Sequence, residues 1–64
     1  MEASEKFFKA AQLMNECSEI MKELGEISVK VENDEELPED TESKMEGLLG
    51  RYIIKVMAAQ KIQL

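Results

Sequence analysis

Apolar or small residues recur at Ala3, Phe7, Ala10, Met14, Cys17, Met21, Leu24, Ser28 and Val31, in alternating steps of four and three. Such spacing returns to one face of an α-helix every two turns and so specifies a long helix with a coiled-coil-like seam. Leu13, Ile20 and Ile27 widen one flank of the seam. Ser4, Ala11, Ser18 and Gly25 hold the other flank at intervals of seven, where small side chains leave room for another helix to approach. Glu2, Glu5, Lys9, Gln12, Glu16, Glu19, Glu23 and Glu26 occupy the opposite, solvated face. Gly25 is one candidate stop, and the alternation of Ile27, Val29 and Val31 with Ser28 and Lys30 is compatible with a short strand. No second alternating run exists to pair with that strand, so the helix is expected to span about residues 2–32.

The chain then changes character. Turn-forming Asn33-Asp34, Pro38 and a dense run of acids mark a connection over about residues 33–40. Pro38 suits the first turn of a following helix, and Ser43 with Glu46 offers a capping box instead. A second helix is therefore expected to begin between Pro38 and Ser43 and to occupy about residues 41–63. Met45, Leu48, Leu49, Tyr52, Ile53, Val56 and Ala59 give it one apolar face to set against the first helix. Its back carries a second stripe, Gly47, Gly50, Ile54, Met57 and Lys61, with a single charge. A glycine inside a helix costs about 1 kcal/mol relative to alanine, and close approach of another chain compensates for that cost. Gly47, Gly50, Ile54 and Met57 are accordingly the expected oligomer interface.

Sixty-four residues admit one domain. Two helices of roughly 35–45 Å cover only one side of each other, and domains near this size are marginal unless disulfides, metals or association assist. The lone Cys17 cannot close an intrachain disulfide, and its seam position reads as a small buried hydrophobe. The expected fold is all-α: an antiparallel two-helix hairpin over residues 1–64 that self-associates, most simply as a homodimeric four-helix bundle.

The missing residue types bear on function. With no histidine and one cysteine, neither Ser-His-Asp or Cys-His catalysis nor a Cys/His zinc site can be assembled within one chain. No glycine-rich phosphate loop occurs. Glu16, Glu19, Glu23 and Glu26 resemble the paired Glu-x-x-Glu magnesium elements of all-α nucleotide pyrophosphohydrolases, but the second, Glu-x-x-Asp element of that family has no counterpart. No catalytic residue, metal or cofactor is expected, and the chain is not expected to be an enzyme. Apolar runs such as Val56-Met57-Ala58-Ala59 fall far short of the roughly 20 residues that span a membrane. With no secretory signal in view, a cytoplasmic location is the expectation.

Fourteen acids against eight bases give a net charge of −6, a poor match for a phosphate backbone or an anionic membrane. The charge is segregated. Residues 1–32 carry seven acids and four lysines, −3; residues 33–43 carry six acids and no base, −6; residues 44–64 carry one acid and four bases, +3. These features point to a small non-catalytic, oligomeric interaction protein that binds a partner protein and regulates or inhibits it, in the manner of an adaptor or a phage-type inhibitor. Candidate partner contacts are Phe8, Ile54 and Met57, which fall outside the main seams, and Asp34, Glu35, Glu36, Glu39 and Asp40 of the connection. Two alternatives stay open. One is an acidic mimic of nucleic acid that fills the groove of a DNA- or RNA-binding protein. The other is an anionic small ligand or nucleotide held between subunits by Arg51, Tyr52 and Lys55.

Overall fold

The structure is a computed structural model that describes residues 2–63. Two helices, α1 (Ala3–Glu32) and α2 (Thr41–Gln60), pack side by side as a hairpin. No strand occurs among the described residues, so residues 27–31 are helical. Gly25 does not end α1 either; its φ is not positive. The helix ends seven residues later, at Glu32, and beyond it Asp34 takes a left-handed φ of 53°. There the Glu35 N–H donates to the Lys30 carbonyl at 2.9 Å and the Asp34 N–H to the Val31 carbonyl at 3.1 Å. This pair of bonds is a Schellman closure, with aspartate in the place that glycine usually fills.

The start of α2 lies in the expected window, but the Ser43–Glu46 capping box does not form, because Ser43 lies inside the helix. Nor does Asp40, the residue that precedes the helix, cap it with its side chain. Instead the Thr41 N–H and hydroxyl both donate to the Pro38 carbonyl, at 3.1 and 2.7 Å. Pro38 thus stands ahead of the helix as an anchor for its first residue. Residues 61–63 continue past the end of α2 without helical structure, so the helix is three residues shorter than its apolar pattern suggests.

Leu13, Ile20 and Leu48 are the buried apolar side chains among the described residues. Ala10, Cys17, Leu24 and Ile27 of α1 and Met45, Tyr52 and Val56 of α2 are half-buried around them. The contact face of α1 is therefore rotated by one column from the expected seam. Leu13 and Ile20, read from the sequence as a flank, form its centre, whereas Phe7, Met14 and Met21 stay exposed. Branched Leu13 and Ile20 offer Leu48 a stiffer seat than two flexible methionines. The same rotation brings Glu16 within reach of Lys55. The hairpin measures 48 × 17 × 12 Å, so it is a layer a single helix thick.

Candidate interaction surface

The two sides of this layer differ in chemistry. On one side, an open groove of about 510 Å³ runs between the helices, lined by Leu13, Met14, Cys17 and Met21 from α1 and by Tyr52 and Val56 from α2. Helical spacing extends its rims: Phe7 lies seven residues before Met14, and Leu49 lies seven before Val56 with Ile53 between them. Met14 is 71% exposed, and Phe7, Met21, Leu49 and Ile53 also face solvent. Ser18 on the α1 rim leaves the groove wide. This is a continuous apolar surface on a small protein, the kind that marks an interaction site.

The other side is charged. The Lys55 ammonium donates to Glu16 Oε2 at 2.6 Å, and the Gln12 amide donates to Glu16 Oε1 at 3.2 Å. The hydrogen bond from Lys55, with the lysine's positive charge behind it, holds the Glu16 carboxyl below its ordinary value. A group stabilised in its charged form by folding adds stability above its unfolded pKa and loses it as the pH falls through the folded one. Acidification through and below the ordinary carboxylate range should therefore weaken the hairpin, and Glu16→Gln should flatten that part of the profile. Urea midpoints followed by circular dichroism across the acid range give the comparison; equal slopes for the two proteins would remove the pair from the account. At the end where α1 begins and α2 finishes, Lys6, Lys9 and Lys61 line a crevice of about 370 Å³ with Ala58, Ile62 and Gln63.

The residues singled out in the sequence fall in three places. Phe8 (75% exposed), Ile54 (66% exposed) and Met57 lie on the outer edges of the layer, turned away from the groove. Gly47 and Gly50 share that edge of α2, and a Cβ added at either would meet nothing within 4 Å. Asp34, Glu35, Glu36, Glu39 and Asp40 are all exposed. None of these five side chains makes a hydrogen bond or an ion pair among the described residues. Within one hairpin Tyr52 lines the groove, whereas Arg51 and Lys55, one turn apart, share the charged side of α2, Lys55 held by Glu16 and Arg51 exposed. Glu16 itself leaves the solvated glutamate line to which its spacing assigned it. The described residues contain no cluster of three or more potential metal ligands, and no helix among them is long and apolar enough to cross a membrane.

The groove is the surface that sequence reasoning missed. Its signal was present in the width of the apolar arcs, since Met14 and Met21 belong to the α1 repeat and Leu49 and Ile53 to the α2 face. Comparison with protein-family models, curated proteins and solved structures gives no match.

Proposed function

We propose that this chain is a small non-catalytic interaction protein that works as a self-associated helical hairpin and binds a partner protein, which it regulates or inhibits. The observation that supports this reading is the exposure of large apolar side chains on two separate surfaces, the groove side and the outer edges with Phe8, Ile54 and Met57. Self-association through one surface leaves the other for a partner. Apolar recognition of that kind is weakly salt-dependent and concentrated in a few buried anchors. Affinity capture from the native host should yield a partner whose retention survives high salt and is lost on Ile54→Asp and weakened by Phe8→Ala.

A second reading is favoured by the unengaged carboxylates of the connection. If the partner is a nucleic-acid-binding protein and this acidic segment occupies its groove, affinity should fall steeply with salt. Retention should then collapse when Glu35, Glu36, Glu39 and Asp40 are made Gln or Asn, and Ile54→Asp should leave it intact. The two sets of variants therefore give opposite outcomes under the two readings.

A further inference from the structure

We infer that the groove side of the hairpin is covered by a second copy of this chain laid across it in the inverted direction, so that the acidic connection of each copy lies at the lysine-bearing end of the other. The inference rests on the self-association proposed above and specifies its face and its orientation. Its first support is area. The chain exposes 5254 Å², whereas a folded monomer of 7.3 kDa is expected to expose about 4,200 Å². The excess, about 1,000 Å², compares with the roughly 800 Å² that each partner contributes to a stable interface of standard size. The hairpin is short of burial by about one partner.

The second support is the difference between the two sides of the layer. A 12 Å layer extends its interior beyond the side chains held between its two helices when another layer is stacked on it. On the groove side, stacking encloses Met14, Met21, Leu49 and Ile53, side chains that favour burial. Stacked on the opposite side, it would desolvate the Glu16–Lys55 pair together with Glu23 and Arg51, at a cost that ion pairing rarely recovers.

Charge then selects the orientation. Two hairpins stacked face to face keep neighbouring helices antiparallel whether their connections share an end or lie at opposite ends, so helix dipoles do not choose between the arrangements. In the shared-end arrangement two segments of −6 each, residues 33–43, stand side by side. In the inverted arrangement each faces residues 2–9 and 58–63, where Lys6, Lys9 and Lys61 outweigh Glu2 and Glu5 for a sum of +1. Opposite signs at each end favour inversion.

The test combines mass with distance. Sedimentation at micromolar concentration should give twice the chain mass, and Ile53→Glu should weaken dimerisation at least about 100-fold. Ile53 is more than half exposed in the single hairpin, so the substitution acts on the second copy; whether the released chain stays helical or unfolds, its mass falls to one copy. Ile54→Glu, one residue away on the outer edge, should leave the dimer intact. A spin label on Glu36→Cys, in a Cys17→Ser background, should report a separation of about 40–50 Å between copies, close to the 48 Å length of the layer. A shared-end dimer would give less than about 25 Å, the width of two helices. A wild-type monomer overturns the inference and self-association together. A dimer with the short distance overturns only the orientation. A dimer broken by Ile54→Glu and not by Ile53→Glu moves the interface to Gly47, Gly50, Ile54 and Met57, overturning the groove assignment while self-association stands.

Discussion

Replacing Leu48 by alanine is expected to unfold most of the chain at micromolar concentration. Leu48 is 1% exposed, the most enclosed side chain described, and among the described residues only Leu13 and Ile20 are buried with it. Truncating a buried leucine costs about 2–5 kcal/mol through lost burial and the cavity left behind. A chain of 64 residues has a total stability of about 3–10 kcal/mol at ordinary values per residue, and a core of three buried side chains among the described residues puts this one toward the bottom of that range. The loss should appear as a large drop in helical circular dichroism and in the urea midpoint. Ile54→Ala is the control. That residue is 66% exposed on the outer edge of α2, so its truncation should cost less than about 1 kcal/mol. A Leu48→Ala midpoint no lower than that of Ile54→Ala would mean that Leu48 is not at the centre of the fold.

Gly47→Ala combined with Gly50→Ala should move stability in the other direction, by about 2 kcal/mol. Both glycines lie inside α2 with no positive φ, and an added Cβ meets nothing within 4 Å at either position. Each substitution therefore recovers about 1 kcal/mol of helix propensity without a steric charge against it, partly by restricting the unfolded chain. The melting temperature of the double variant is the measurement, and a fall in it would show that something closes on this stripe in solution. The same variant separates folding from recognition. If a partner approaches closely along Gly47, Gly50, Ile54 and Met57, two new methyl groups hold it away, and the more stable protein binds more weakly.

Much of the architecture was legible because helical periodicity is a property of the chain alone. The two helices, the acidic connection and a start of α2 between Pro38 and Ser43 follow from spacing and turn chemistry. Which columns of α1 meet α2 did not follow. Its apolar arc is wider than one neighbour can cover, so periodicity names the candidates, and the choice among them depends on Leu48 and on the Lys55 ammonium reaching Glu16. The end of α1 near Glu32 was legible, but the residue that closes it was not. Glycine is the usual left-handed residue at a helix end, which drew attention to Gly25, but an aspartate accepted that conformation at position 34. At the candidate site, Phe8, Ile54 and Met57 were identifiable as residues outside the main seams. The groove was not, since it is assembled from half a face of each helix and exists only once their relative rotation is set.

The chain reversal at residues 33–41 is closed by backbone carbonyls: those of Lys30 and Val31 stop one helix, and that of Pro38 starts the next. The carboxylates of Asp34, Glu35, Glu36, Glu39 and Asp40 take no part in these bonds. Heredity can therefore treat the two jobs of this segment separately. Drift among Glu35, Glu36 and Glu39 leaves the turn intact, and selection can rewrite the outward lettering of the loop while the scaffold beneath it is inherited unchanged.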